Sequence, residues 1–384
     1  MRKIYAGILL LLMPVCLAAQ CTSSVAAQGS YGVPEGASGA AQYVVFLPQP
    51  TSCYNGTMIL FAHGYVPVGA PANAWQSQLA LPDGTSLPAL LNSLGFGFAA
   101  SSYSKDGLAI LQGVQDTKAL TNVIHALSIP VNRYFVTGAS EGGLVATKSV
   151  ENDPTYSGAI AVCGPIGSFR KQLNYFGDVR VLFDYFFPGV LTTGTPGESA
   201  INIPPALLLN WTTVYEPAVR KAVNSNVLAT LQLVLTARIP IGLNLNNAAD
   251  AIVDALWYNV FATSDAQATL GGNPYDNIGV IYSGSFRDAH LNAVIPRFAA
   301  SSTALTSIQQ YETSGQLHDP LVTLHTLADP VVPFWHEALY AAKAHSTGSS
   351  SELVQIPVLR FGHCNVTAAD AEAAMAALLL KAGQ

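Results

Sequence analysis

The sequence predicts an α/β chain built on a mostly parallel sheet covered on both faces by helices, and three observations predict it. Short apolar, strand-like runs alternate with helical patterns along most of the 384 residues, an order that puts crossover helices on both faces of a parallel sheet. The turn Gly138-Ala139-Ser140-Glu141-Gly142 joins one such strand directly to a helix. Two later strands end in Asp329-Pro330 and Gly362-His363. Chemically active side chains therefore collect past the carboxyl ends of strands, where open parallel sheets build their loops.

The chain opens with Met1-Arg2-Lys3 and an apolar run over 4–19, broken late by Pro14. It reads as a secretory leader, residues 1–27, with Val25-Ala26-Ala27 as the cleavage signature and Ala18 or Ala19 as rival sites. The run is shorter than the about 20 residues of a membrane span, so no stable span is expected. Lipid attachment at Cys21 is an alternative, poorly served because Gln20 stands where a small residue is required. The expected location is secreted or periplasmic.

Strands are expected at 43–47, 57–62, 96–101, 133–137, 158–162, 321–327 and 352–360. Over 108–127 the residues Leu108, Leu111, Val114, Leu120 and Val123 recur with a helical period. Further helices are expected at 334–345 and 368–381. Asp106 and Tyr103, in the loop before the helix beginning at Leu108, read as site lining or as helix caps, the cap being the simpler role for Asp106. Between Ser140 and Asp329 the chain is far longer than the about 30 residues of one strand-helix-strand step. The surplus carries helical patterns at 217–237 and 248–261, with Pro217 suited to a first turn. Residues 166–315 are therefore expected to be a mostly helical cap inserted into a core of 28–165 and 316–384. The rings of Tyr175, Phe176, Phe183, Tyr185, Phe186 and Phe187 read as the cap's own core or, in part, as pocket lining.

A small-residue corner between a strand and a helix also suits simple packing, so the Gly138–Gly142 turn needs partners before it means chemistry. A serine hydroxyl becomes a nucleophile when a base takes its proton and an acid orients the base. His363 and Asp329 supply those types in the order serine, acid, histidine. His325 sits inside a strand and reads as packing or as a support behind the site. His336 and His345 fall on the intervening helix, His345 at its solvated end. An early strand ends in His63-Gly64-Tyr65. The backbone N–H groups of Tyr65 and Glu141 are the expected oxyanion donors, with His63 as a turn residue.

Together His63-Gly64-Tyr65, Gly138-Ala139-Ser140-Glu141-Gly142, Asp329 and Gly362-His363-Cys364 resemble the α/β-hydrolases. Ser102-Tyr103-Ser104, Val162-Cys163-Gly164-Pro165, Asn273-Pro274-Tyr275-Asp276-Asn277 and Gly362-His363-Cys364-Asn365 resemble, within them, a group of secreted bacterial hydrolases. The resemblance implies the α/β-hydrolase fold, with an eight-stranded sheet, and acyl transfer to water. The expected activity is that of a secreted carboxylic-ester hydrolase with Ser140, Asp329 and His363 as its triad and an acyl-enzyme intermediate. The alternatives are a serine peptidase or amidase, a polyester or lipid depolymerase and, last, a non-catalytic binding protein.

Charged residues make up 10% of the chain and hydrophobic ones 50%, with a net charge of −6. Such a chain has no nucleic-acid footprint. It also lacks a phosphate loop, a CxxC pair and an HExxH motif, so no cofactor or metal is expected. The expected partner is a small or polymeric ester. Cys163 ends the strand beside the Ser140 strand, and Cys364 follows His363. In an oxidising compartment a bond between them would pin the base loop, although spacing alone does not decide pairing. Cys53 is left over, or pairs with Cys21 if processing falls earlier. Tannase-type relatives instead tie a cysteine before the serine to one after the histidine, and here that first position is Ala139.

Overall fold

A computed structural model describes residues 21–32 and 40–383. Most of the expected leader, with Cys16, lies outside the described residues. The chain runs β1 (Thr22–Tyr31), β2 (Ala41–Gln49), β3 (Thr57–Ala62), α1 (Leu87–Ser93), β4 (Gly97–Ser101), α2 (Ile110–Ala126), β5 (Arg133–Ala139), α3 (Glu141–Asn152) and β6 (Tyr156–Val162). An insertion follows with α4 (Phe169–Phe186), α5 (Pro205–Leu209), α6 (Glu216–Ser225), α7 (Val227–Ala237), α8 (Ala248–Leu270), α9 (Asp288–Val294) and α10 (Ser302–Ser307). The sheet then resumes with β7 (Leu321–Ala328), α11 (Trp335–Ser346), β8 (Leu353–Phe361) and α12 (Ala368–Lys381).

The strands form one eight-stranded sheet in the order β1-β2-β4-β3-β5-β6-β7-β8. β2 is antiparallel to both its neighbours, and every pairing from β4 to β8 is parallel. Successive side chains of a strand face opposite sides of the sheet, and β3 shows what that does in a sheet covered twice. Met58, Leu60 and Ala62 join Leu120, Ile124 and Leu144 in the core on one side. Ile59 and Phe61 join Leu91, Met375 and Leu378 in the core on the other. An unbroken apolar run is the consequence.

The outermost strand is one that the sequence reading did not expect. Residues 22–27, assigned to the leader, belong to β1, which pairs with β2 along its length, and Cys21 is bonded to Cys53. The physical reason is composition. An exposed edge strand needs little apolar surface, and β1 is largely exposed, so its small residues carry no strand signal. Asp106 is likewise corrected. Ala109 occupies the N-cap position of α2 without a side-chain cap. Carboxyl oxygens of Asp265 and Glu141 instead accept from the N–H groups of Leu108 (2.5 Å) and Ala109 (2.9 Å).

The insertion has its own core, in which Tyr175, Phe176, Phe183 and Phe187 pack with Leu233, Ile252 and Leu256. The helical pattern at 217–237 divides at Asn226, whose side chain accepts from Ala229 N–H and so restarts the chain as α7. α8 outruns its expected end and stops at Leu270, where Gly271 adopts the left-handed conformation at φ 76°.

Candidate active site

Ser140 sits at the turn between β5 and α3 with φ 58° and ψ −124°, a conformation a non-glycine residue holds only where its surroundings impose it. Its N–H donates to Val162 O at 2.8 Å, and its carbonyl accepts from Gly143 N–H at 2.9 Å. A Cβ at Gly138 would collide with the backbone of Gly142, and one at Gly142 with that of Ala62. The two glycines thus answer a steric demand, since the turn runs backbone against backbone.

Asp329 follows β7 and is fully buried. Its Oδ1 accepts from the N–H groups of Val331 and Val332, each at 2.9 Å, which fixes the carboxylate on its own loop. His363 follows β8. Its Nδ1 lies 2.8 Å from Asp329 Oδ2, and its Nε2 lies 2.8 Å from Ser140 Oγ. The structure therefore brings together three side chains from the carboxyl ends of three strands. With Nδ1–H donating to the carboxylate, Nε2 is left to accept the serine proton.

Further side chains hold these loops, and Glu337 and Gln172 among them were not visible in the sequence. Glu337 on α11 lies 3.0 Å from His325 Nδ1, while His325 Nε2 lies 2.8 Å from Val332 O. Burial alone would lower the His325 pKa, but the hydrogen bond and charge of Glu337 outweigh it and the net shift is upward. His325 is thus a strut behind the Asp329 loop. From the insertion, Gln172 Nε2 and Tyr175 Oη donate to Val331 O and Pro330 O, each at 2.7 Å. His336 is buried and takes part in packing, with Nδ1 accepting from Gly167 N–H at 3.0 Å, and His345 is exposed.

Cys163 and Cys364 are bonded, with a Cα–Cα distance of 5.4 Å. The bond ties the residue after His363 to the end of β6. These two sulfurs and the His363 ring cluster closely, but sulfurs spent on each other offer no thiolate to a metal.

The His63-Gly64-Tyr65 turn borders Ser140. Gly64 N–H donates to Gln78 Oε1 at 2.6 Å, and Gln78 Nε2 lies 3.4 Å from the carbonyl oxygens of Gly64 and Tyr65. His63 is buried against Tyr103, with ring centroids 3.9 Å apart, and burial lowers its pKa to about 4. It is neutral and belongs to the turn, as expected. The Glu141 side chain points away from solvent, and burial pushes its carboxyl up to about 8.

A cavity of about 470 Å³ opens from Ser140 and His363 toward α1 and α12, walled by Leu81, Leu87, Leu90, Leu91 and Met375 among others. The insertion closes the site from the other side through α8. Tyr258 lines the same cavity, and its ring meets His363 edge-on at 6.4 Å. Asp254, one turn earlier, is pushed up to about 6 by burial, with the nearby His363 opposing the shift. Tyr65 Oη donates to Phe261 O at 3.2 Å, and Lys105 Nζ to Thr269 Oγ1 at 2.7 Å, so α8 is fastened to the core. In the sequence Tyr258 is one more residue of an apolar helical pattern, with no signal of its place. Of the aromatic run at 175–187, Phe176 reaches a small cavity beside Ser140.

A mostly parallel sheet with a strained serine turn after β5, and with acid and histidine loops after β7 and β8, defines the α/β-hydrolase fold, and this chain has it. Solved structures to which the chain is similar include the following three. The rice cell wall degrading esterase LipA from Xanthomonas oryzae has a TM-score of 0.48 and 15% identity, over 93% of this chain and 88% of that one. Est1E from Butyrivibrio proteoclasticus has a TM-score of 0.42 and 12% identity, over 93% of this chain and 100% of that one. The Pyrococcus horikoshii acylaminoacyl peptidase has a TM-score of 0.43 and 11% identity over 89% of this chain, which spans only 38% of the peptidase. No protein-family model matches the chain, and no curated protein matches it in sequence.

Proposed function

We propose that the protein is a serine hydrolase acting on carboxylic esters. One observation carries this reading: Ser140 Oγ and His363 Nε2 stand 2.8 Å apart, with buried Asp329 on the far side of the imidazole. Ser140 attacks the ester carbonyl while His363 takes its proton, and Asp329 stabilises the imidazolium that forms. The C=O electron pair moves onto oxygen, where the N–H groups of Tyr65 and Glu141 hold it, each worth about 3 kcal/mol. The position of Glu141 at the start of α3 adds the positive end of a helix. The alkoxy bond then breaks, His363 protonates the departing oxygen, and water attacks the acyl-enzyme by the same route.

The insertion, residues 166–315, acts as a cap over this site. The apolar walls of the large cavity suit a substrate with a sizeable apolar portion. Two disulfides and a positively charged, apolar amino-terminal segment support secretion or a periplasmic location. Processing near Ala18 or Ala19 fits better than at Ala27, because a cut at Ala27 would divide β1 and discard Cys21. With its sulfur bonded to Cys53, Cys21 has no thiol left for a lipid.

The test is hydrolysis of p-nitrophenyl esters from acetate to long acyl chains, with p-nitroanilides alongside, by wild type and Ser140→Ala. The expected result is ester cleavage that falls about 10⁴-fold or more in the variant, at unchanged thermal stability. Wild-type rates in Ser140→Ala would overturn the reading. Preference for anilides would move the substrate class to amides.

A further inference from the structure

Tyr258 is the part of the cap that meets the reacting centre. Two cavities flank Ser140, the large one and a second of about 50 Å³ bordered by Gln172, Phe176 and Val331. Tyr65, Ser140 and Tyr258 line both. Tyr258 therefore stands where the two cavities join, over the serine. A carbonyl carbon bonded to Ser140 Oγ would sit at that junction, with its substituents running into the two cavities.

The ring is held firmly. It stacks on Phe176 at 5.1 Å with an interplanar angle of 8°, and meets Trp257 edge-on at 4.9 Å. Tyr65, whose backbone is proposed to hold the oxyanion, is its neighbour at 6.1 Å. The Tyr258 hydroxyl interacts with Ser140, and burial raises its pKa far above the ordinary value, so it stays protonated and remains a donor. Ser140 Oγ gives its own proton toward His363 Nε2, so its lone pairs are free to face a donor.

We infer that Tyr258 is a further catalytic residue, whose hydroxyl donates a hydrogen bond to the substrate's carbonyl oxygen as that oxygen becomes negative. This rests on the serine-hydrolase reading above. No proton changes hands at Tyr258. The Oγ–C bond forms, the C=O pair moves onto oxygen, the serine proton goes to His363, and the phenolic O–H stabilises the new charge beside the two backbone donors. When the tetrahedral state collapses, the leaving alkoxide takes the proton from His363. The consequence is that the core alone does not complete the site. α8 must be docked for the third donor to be present, and the contacts of Tyr65, Lys105 and Leu108 with α8 hold it there.

The experiment compares Tyr258→Phe with wild type on the best ester found, together with the rate of labelling of Ser140 by a p-nitrophenyl phosphonate. Phenylalanine keeps the ring and its stacking and removes only the donor, and a thermal melt checks that the fold is retained. The expected result is a fall in kcat of about 10- to 100-fold with little change in KM. The phosphonate labelling rate should drop in parallel, because the phosphonyl oxygen needs the same donors. A purely structural Tyr258 would leave both rates unchanged, and kcat/KM within about twofold of wild type would overturn the inference. A wild type that is labelled while Tyr258→Phe is labelled equally fast overturns the role of Tyr258 alone. A wild type that neither cleaves esters nor reacts with the phosphonate overturns the serine-hydrolase reading and this inference with it.

Discussion

The two halves of the site are held by different means. Ser140, Asp329 and His363 stand on short loops at the carboxyl ends of β5, β7 and β8, fixed largely by backbone hydrogen bonds and by the bond between Cys163 and Cys364. Tyr258 and Asp254 stand on α8, which reaches the site through side-chain contacts with Tyr65, Lys105 and Phe176. The carboxyl-terminal rim of the sheet thus carries Ser140, Asp329 and His363, and a separately packed helix covers them. Backbone turns are specified by a few local residues, whereas the placement of α8 depends on groups far apart in the chain. Damage to the first half should therefore fall on chemistry outright, and damage to the second on how completely the site is assembled.

The largest effect short of removing Ser140 is expected at the disulfide between Cys163 and Cys364. Replacing both cysteines by serine should destabilise the protein by about 2–5 kcal/mol. Esterase activity should fall further than the loss of folded protein explains, because His363 adjoins Cys364. Denaturant unfolding alongside kcat of the folded fraction checks this, and a variant whose specific activity is unchanged would show that backbone bonds alone hold the base loop.

On the α8 side, Asp265→Ala removes the acceptor that Leu108 N–H uses, and Leu108 is buried. A cost of about 1–3 kcal/mol is expected. The decline in kcat should be smaller than for the disulfide variant, since α8 keeps its other anchors. A rate loss as large as that of Tyr258→Phe would mean that this single contact governs docking.

At the joint between the halves the expected effect is a dependence of stability on pH. Burial holds the Glu141 carboxyl at about 8 in the folded protein, against an ordinary 4.5. The folded state therefore binds this proton more tightly than the unfolded chain. Its contribution to stability is complete below pH 4.5 and declines as pH rises through about 8. Glu141→Gln keeps an acceptor for Ala109 N–H and should flatten that slope. Urea unfolding at about pH 5 and about pH 9 measures it, and equal slopes in both proteins would remove Glu141 as the cause.

How far the sequence could be read follows the same division. Gly138, Gly142, the Asp-Pro after β7 and the Gly-His after β8 are local signals, because a steric demand or a hydrogen-bonding turn is met by neighbouring residues. The geometry around Ser140, Asp329 and His363 could be anticipated from them. β1 could not, because an exposed edge strand built of small residues carries no apolar alternation and resembles a leader's cleavage site. Glu337 behind His325, and Gln78 on the Gly64 turn, were equally silent. Their partners lie on other elements, and an acid or amide on a helix or loop looks the same whether solvated or bonded.

By itself, the sequence determined the order of the strands from β2 to β8, the Gly138–Gly142 turn and the places of Asp329 and His363 just past their strands, since each rests on periodicity or on the few residues of one turn. Only the tertiary structure decided that Cys21 belongs with Cys53 and Cys163 with Cys364, that the apolar cavity lies between α1 and α12, and that Tyr258 faces the serine. These depend on which distant surfaces pack together, and burial and pairing free energies between distant segments leave no mark on local sequence order.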